Sequence, residues 1–193
     1  MIIDISQEVL SSNVYPGDPA PSTDCLCSMQ NGDLYNLTAF SMCAHNGTHV
    51  DAPSHFIKDG KTIDQIPLDT FVGPCFVARH VGAVSAEDAS QILKKASLAN
   101  AGERILIAGN ATVTADAARV FAASQIKLIG NESQTVGPED APMEVHLILL
   151  GAGIILLEGV VLTDVSEGVY LLSAAPLNLA GCEGSPCRAF LIQ

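Results

Sequence analysis

The middle of the chain, residues 85–130, reads SAEDASQILKKASLANAGERILIAGNATVTADAARVFAASQIKLIG. A serine followed by two acids and then by apolar residues on one face predicts a helix over 85–98, and a threonine in the same role predicts a second helix over 114–124. Short apolar runs at 104–108 and 125–129 predict buried strands. Strands that alternate with helices in this way are typical of an α/β fold.

The sequence on both sides of this stretch predicts more strands and one more helix. The front of the chain is rich in strands and turns, and the two prolines and the glycine in YPGDP (15–19) interrupt any regular element. We therefore expect one α/β domain over residues 1–193, with a mixed sheet and additional antiparallel strands. The further strands are predicted over 2–5, 36–43, 73–81, 154–157, 169–172 and 188–192, and the third helix over 141–150.

Composition limits the classes of function. Of the 193 residues 48% are hydrophobic and only 16% are charged, against a usual charged share of about 25%, which gives ample material for a core and excludes a disordered chain. The net charge of −12 disfavours binding to nucleic acid or to anionic lipid. We expect a small-molecule substrate, and the low charged fraction favours a homodimer or a higher homo-oligomer.

The sequence shows no targeting or membrane segment. The N-terminus has no basic region and an acid at Asp4, and the longest apolar run, near 145–157, is short and contains a histidine and two glycines. A cytoplasmic location is therefore expected. Among the six cysteines, the pair Cys25 and Cys27 is spaced too tightly for a zinc ribbon, so reduced thiols are expected.

Three of the five histidines lie within eleven residues, in HNGTHVDAPSHF (45–56). His49 and Asp51 are two positions apart, so on a strand their side chains point to the same side. The Gly-Thr bend brings His45 back towards them. Imidazole and carboxylate are the ligands that zinc or manganese prefers. A single histidine is usually a packed or hydrogen-bonded residue, but that interpretation does not account for three histidines and an aspartate at one turn.

The cluster resembles the HxGTHxDxPxHF signature of the metal-dependent cyclase family, whose members include bacterial kynurenine formamidases (arylformamidases) and, as a relative, isatin hydrolase. The resemblance extends along nearly the whole chain. It includes YPGDP at 15–19, the stretch from His146 to Gly159, and GCEGSPCRA at 181–189, which is similar to a GxDGSPxRA tail. The resemblance implies a swivelling β/β/α-type domain.

The resemblance also implies roles for individual residues. His45, His49 and Asp51 would bind one divalent metal, and Asp51 would bridge to a second one completed by His146 and Glu158. Taken alone, a histidine in a helix is unremarkable, whereas Glu158 in an apolar run needs a partner or a metal. His55 would be the catalytic acid/base.

These roles predict a metal-dependent hydrolase. A divalent ion lowers the pKa of bound water to roughly 7 and polarises a carbonyl, and His55, with an ordinary pKa of about 6.5, can pass a proton from the water to the leaving amine. The predicted reaction is hydrolysis of N-formylkynurenine to kynurenine and formate, with zinc as the expected ion, manganese as the alternative, and one or two ions per subunit. A cyclic amide or lactone hydrolase is the nearest alternative. A non-catalytic metal-binding protein is the alternative from another class, and it would not require His55.

Some features differ from the family pattern and bear on the substrate. Family members often carry an Arg-Thr pair after an ILL-type strand, whereas this chain has ILIAGN (105–110), so an arginine that would face the substrate is missing. In GNESQTVG (130–137), Glu132 and Thr135 lie near the expected positions, and Gly137 replaces a common acid.

Aromatic side chains for a substrate pocket are also scarce. The chain has no tryptophan, and only 5% of its residues are aromatic. The remaining candidates are Tyr35, Phe56 and Phe71, and each of them is more typical of a core. The thin supply of aromatic residues weakens the expectation of N-formylkynurenine as substrate and leaves that of a metal-dependent hydrolase unchanged.

Overall fold

A computed structural model describes all 193 residues and contains thirteen strands, three α-helices and five short 3₁₀ helices. The helices are α1 (Ala86–Leu98), α2 (Ala115–Ala122) and α3 (Met143–Gly151). The strands are β1 (Ile2–Asp4), β2 (Ser22–Cys27), β3 (Leu37–Ser41), β4 (His49–Asp51), β5 (Val72–Arg79), β6 (Gly82–Val84), β7 (Arg104–Ala108), β8 (Ala111–Val113), β9 (Leu128–Asn131), β10 (Ile155–Glu158), β11 (Gly168–Ser173), β12 (Gly184–Pro186) and β13 (Phe190–Ile192).

Nine strands form one mixed sheet in the order β1-β13-β11-β5-β7-β9-β10-β4-β12. Its centre, β5-β7-β9-β10, is parallel, and the connections through α1, α2 and α3 return the chain between parallel neighbours. Both flanks are antiparallel. The hairpin β2–β3 and the parallel pair β6–β8 lie outside this sheet. The predicted α/β class, with a mixed sheet and additional antiparallel strands, is confirmed.

The sheet separates two hydrophobic cores. Along β7, Ile105 and Ile107 pack in the core that contains the helices, whereas Leu106 and Ala108 pack in the core on the opposite face. This alternation is the period-two pattern of a strand buried on both faces. Full burial of each such aliphatic side chain contributes roughly 1.5–3 kcal/mol, so the central strands form a rigid support for the elements at their ends.

The helix caps were predicted from the sequence and are confirmed. The Ser85 hydroxyl accepts the N–H of Asp88 at 3.2 Å, and the Asp88 carboxylate accepts the Ser85 N–H at 2.9 Å, which completes a capping box for α1. Thr114 caps α2 by accepting the N–H of Ala117. Such caps satisfy backbone donors that the first turn leaves free and contribute about 1 kcal/mol each.

Some element ends differ from the prediction. The helix expected over 141–150 begins instead at Met143, after Pro142, whose missing N–H suits a helix start. The strand expected over 125–129 begins at Leu128, because the chain is still completing the turn that leaves α2, where Ser124 N–H donates to the Phe121 carbonyl. None of the three helices is long and apolar enough to cross a membrane.

Candidate metal centre

Two antiparallel neighbours in the sheet carry the buried polar side chains. In the pairing of β10 with β4, Glu158 lies opposite His49, and Leu156 lies opposite Asp51. Val50 packs in the core on the far face of the sheet, so His49 and Asp51 point to the face that the helices cover. The buried face of α3 lies over the same region and contributes His146.

The Asp51 carboxylate is at the centre of the cluster. Its Oδ1 lies 2.9 Å from His45 Nδ1 and 3.5 Å from His49 Nε2. Its Oδ2 lies 3.6 Å from His146 Nε2. Asp51 is fully buried, so three imidazoles surround one carboxylate from which bulk water is excluded.

Glu158 closes the other side of the cluster. Its Oε2 lies 3.3 Å from His49 Nε2, and its Oε1 lies 3.4 Å from His146 Nε2. Oε1 also accepts the N–H of Val136 at 2.7 Å, which ties the carboxylate to the loop that follows β9. Glu158 therefore has a fixed orientation, as a buried carboxylate requires.

Backbone carbonyls orient two of the histidines. His49 Nδ1 lies 3.0 Å from the Gly47 carbonyl, and His146 Nδ1 lies 2.9 Å from the Pro142 carbonyl. Because a carbonyl only accepts, each Nδ1 carries the proton and donates it. In the neutral ring that a metal requires, each Nε2 therefore faces the carboxylates with a free lone pair, which is the arrangement that metal-binding histidines adopt.

The carboxylates and imidazoles shift one another's pKa values. Burial opposes charge on the histidines, but the hydrogen bond that His45 donates to Asp51 and the negative charge of Asp51 outweigh burial and raise the pKa of His45 to about 9. Asp51 and Glu158 likewise raise the pKa of His146 to about 10 against the effect of burial. Although burial acts in the opposite direction, the neighbouring imidazoles of His146 and His45 hold the pKa of Asp51 well below its usual range. The cluster favours bound positive charge.

The residues present fit a divalent metal. The Oδ2 atom of Asp51 is buried and has no hydrogen-bond partner, although buried polar atoms are nearly always satisfied. Two overlapping sets of candidate ligands share this aspartate, one with His45 and His55 and the other with His49 and Glu158. Neutral imidazole and carboxylate are typical ligands of zinc and manganese. Asp51 thus lies where it would bridge two ions or anchor one.

His55 lies beside this cluster. Its ring stacks on His45 at a centroid distance of 4.2 Å and lies 6.0 Å from the His146 ring. Burial lowers the pKa of His55, in contrast to the raised values of the other histidines. At neutral pH the ring is therefore uncharged and able to accept a proton. Phe56 packs edge-on against His55 at 4.6 Å and also contacts His146.

All six residues predicted from the sequence lie together. Tyr35 and Phe71, named as aromatic candidates, lie elsewhere: Tyr35 is exposed and Phe71 is in the core, which leaves Phe56 as the aromatic side chain of the site. The loop after β9 contacts the cluster through its backbone, because the Val136 N–H donates to Glu158. Glu132, in the same loop, instead accepts the N–H groups of Gly109 and Leu162.

Two groups at the site received no role from the sequence. Glu183, in the tail motif, lies with Oε1 3.2 Å from His45 Nε2. Gln7 donates to the Gly159 carbonyl at 2.9 Å, and its N–H donates to the Thr48 hydroxyl. Only the tail motif gave a local signal for Glu183. Gln7 had none, because its partners are 41 and 152 residues away in sequence.

Comparison with known proteins gives consistent results. The family model described as "Putative cyclase" matches residues 3–138. A kynurenine formamidase from Salinibacter ruber is 33% identical over an alignment of 204 residues, which covers 98% of this chain and 96% of that protein. This chain therefore spans nearly the full length of that relative.

Two solved structures share the fold of this chain. A potential metal-dependent hydrolase with cyclase activity superposes with a TM-score of 0.82 at 27% identity, covering 99% of this chain and 96% of that one. Isatin hydrolase A from Labrenzia aggregata has a TM-score of 0.82 at 22% identity, covering 99% and 93%, and at that identity it shows a shared fold. The sequence-predicted relation to these proteins is confirmed.

Proposed function

We propose that this chain, which belongs to the Cyclase family and is a metal-dependent amide hydrolase, cleaves the formamide bond of N-formylkynurenine to give kynurenine and formate. The relative named kynurenine formamidase supports the substrate. The observation that carries the proposal is the position of His55, an uncharged histidine in contact with a buried cluster of imidazoles and carboxylates.

The metal ligands we propose are His45, His49, Asp51, His146 and Glu158. One or two divalent ions would bind there, with zinc as the expected ion and manganese as the alternative. When bound, a divalent ion supplies Lewis acidity, which makes hydroxide available near neutral pH and polarises the carbonyl that is attacked. Asp51 and Glu158 supply the negative charge that holds the ion, and the backbone carbonyls behind His49 and His146 keep Nε2 of both rings pointed inward.

His55 has the role of proton carrier in this proposal. Its lowered pKa leaves the ring neutral at pH 7, so it can take a proton from water as the water oxygen attacks the formyl carbon and before the C–N bond breaks. It then donates that proton to the nitrogen of the leaving amine, which departs as a neutral aniline. The stacking on His45 and the edge contact with Phe56 restrict the ring's rotation and keep it next to the cluster.

The same ligand set also suits a cyclic amide or a lactone. One observation favours this second candidate: Phe56 is the one aromatic side chain packed against the histidines, so the site offers little stacking surface for an aromatic amine. The absence of an arginine after β7, where Gly109 and Asn110 stand, also removes a charged group for the carboxylate of an amino acid.

Turnover of N-formyl-L-kynurenine by protein reconstituted separately with zinc and with manganese tests the proposal. We expect metal-dependent release of formate that a chelator abolishes. Turnover of a lactam or lactone, but not of the formamide, would show that the substrate is a cyclic amide or a lactone rather than N-formylkynurenine. Tight metal binding with no turnover of any of these compounds would favour a non-catalytic metal-binding protein.

We also propose that the chain self-associates through the hairpin formed by β2, β3 and their connection. Both strands are exposed along nearly their whole length, although a two-stranded hairpin is marginally stable alone in water. Its exposed apolar side chains are Leu26, Met29, Leu34, Tyr35, Leu37 and Phe40. Sedimentation would show a dimer or larger species at micromolar concentration, and a monomer at that concentration would contradict the proposal.

A further inference from the structure

The three histidines around Asp51 are oriented in two different ways. His49 and His146 point Nε2 at the carboxylates and donate Nδ1–H to backbone carbonyls. His45 is reversed: Nδ1 lies 2.9 Å from Asp51 Oδ1, and Nε2 lies 3.2 Å from Glu183 Oε1. The partner behind His45 is thus a carboxylate rather than a carbonyl.

Only one arrangement of His45 satisfies both neighbours when a metal is bound. A neutral imidazole has one N–H and one lone pair, while Asp51 and Glu183 both only accept. Asp51 is buried among the other candidate ligands, whereas the Glu183 side chain is 46% exposed and contacts no other ligand of the set. The lone pair therefore belongs on Nδ1, at the metal side, and the proton belongs on Nε2, at the Glu183 side.

The fold holds Glu183 in place against this ring. The Ala52 N–H donates to the Glu183 carbonyl at 2.8 Å, and Gly184 pairs with Asp51 where β12 joins β4. A Cβ at Gly184 would lie 2.7 Å from Cε1 of His45, so the ring lies directly against this backbone. With His55 stacked on the ring as well, a half-turn of the imidazole would put carbon atoms against both carboxylates and lose both contacts.

From this juxtaposition we propose that Glu183 is a positioning residue, which holds Nε2–H of His45 and so presents Nδ1 to the metal. The inference rests on the metal site proposed above. A charged acceptor forms a hydrogen bond roughly twice as strong as a neutral one and increases the basicity of the ligand behind it. His45 is therefore the ligand of the set whose orientation depends on a side chain that can be removed without changing the backbone.

Zinc affinity, measured by competition with a chelator, tests the role of the carboxylate. We expect Glu183→Ala to weaken zinc binding by about 10–100-fold, the range found for such outer partners. Glu183→Gln should recover part of this loss, because a neutral amide oxygen accepts the same hydrogen bond more weakly than the carboxylate does. The control is Glu167→Gln, which removes a charge from another partly exposed glutamate, paired with Lys95 rather than with a ligand. Affinity of the alanine variant within twofold of the wild type would overturn the proposal.

A second measurement asks which nitrogen of His45 binds the metal and which one carries the proton. It uses the wild type, so it does not depend on the variants folding. Nitrogen-15 spectra of histidine-labelled, zinc-loaded wild type should show His45 bound through Nδ1 and protonated at Nε2, and His49 and His146 bound through Nε2. Binding of His45 through Nε2 would overturn the proposal. Neither measurement uses a substrate, so a wild type that binds zinc but hydrolyses no formamide refutes the proposed function alone.

Discussion

Two regions of the molecule distribute polar and apolar side chains in opposite ways. The turn and strand over residues 45–51 bury imidazoles and a carboxylate, and Asp51 has no solvent exposure at all. The hairpin over residues 22–41 instead exposes apolar side chains, and its Leu34 is 94% exposed. Burying a charge costs free energy unless the charge is paired. A large exposed apolar patch is typical of a surface that binds another molecule.

The contrast indicates what each region binds. Interior carboxylates need compensating positive charge, and ring orientations set by backbone carbonyls are those that suit a metal ion. An exposed hairpin that shelters a groove of about 920 Å³ against the edge of the main sheet is the kind of surface that a second subunit covers. Substitutions in the turn and strand over residues 45–51 should therefore change metal binding and catalysis. Substitutions in the hairpin over residues 22–41 should change self-association.

Removing the central carboxylate should have the largest effect. Asp51→Asn keeps the shape of the side chain but removes the charge shared by His45, His49 and His146, so we expect zinc binding to be lost and kcat/KM to fall by about 10⁴-fold, equivalent to about 5.4 kcal/mol. The control is Asp140→Asn, at an exposed position outside the cluster. Chelator competition and initial rates provide the measurements. Full activity in Asp51→Asn would exclude Asp51 as a ligand.

His55→Ala separates chemistry from metal binding. Since His55 carries the proton in the proposed reaction, kcat should fall by about 10²–10³-fold while zinc affinity changes little. His80→Ala is the matched control, because His80 Nε2 donates to the Ala83 carbonyl and the side chain lies outside the cluster. If the His55 variant lost zinc as strongly as Asp51→Asn, His55 would be a ligand rather than a proton carrier.

The hairpin variants address the second region. Replacing both Leu34 and Phe40 with serine removes two exposed apolar side chains, and if they are buried between subunits the dissociation constant should rise by about 100-fold. Leu98→Ser, an equally exposed position on α1, should leave the constant unchanged. Sedimentation at several concentrations measures this. Equal association by the hairpin variant and the wild type would place the interface elsewhere.

The pH dependence of stability tests the first region without a substrate. The pKa values of His45 and His146 are raised to about 9 and about 10, so their stabilising contribution is complete below about pH 6.5 and is lost as the pH rises through 9 and 10. A bound ion replaces these protons, which removes this dependence.

We therefore expect the melting temperature of chelator-treated protein to fall, between pH 7 and pH 10, by about 5 °C more than that of zinc-loaded protein, or roughly 2 kcal/mol for a chain of this size. Calorimetry over that range measures the difference. Parallel pH profiles for the two preparations would show that the histidines do not titrate against the carboxylates.

The sequence predicted the elements that local patterns determine. The caps at Ser85 and Thr114 and the apolar run of β7 were visible because helix starts and buried strands depend on neighbouring residues. The five ligand candidates and His55 were found because the family motifs preserve them. The position of Glu183 at the site could not be predicted, because β12 pairs with β4 across more than 130 residues. The same holds for Gln7, whose partners Thr48 and Gly159 are 41 and 152 residues away.

An exposed ion pair offers the smallest effect and a reference for the buried cluster. Arg188 binds the Asp4 carboxylate through two nitrogens, and this interaction lowers the pKa of Asp4 to about 2. The side chains are 78% and 47% exposed, so water screens the attraction, and Arg188→Gln should lower the free energy of unfolding by less than about 1 kcal/mol.

The contribution of this pair should be present above about pH 4 and disappear as the pH falls towards 2, because the carboxylate has to be ionised. Denaturant unfolding of Arg188→Gln at pH 7 and at pH 2.5 measures it, with Lys95→Gln, which breaks the exposed pair to Glu167, as the control. A carboxylate, which controls metal binding when it is buried as in Asp51, should thus contribute little when it is paired at the surface as in Asp4. A loss of several kcal/mol in Arg188→Gln would show that this surface is covered, as it would be if the groove it lines lay within a subunit interface.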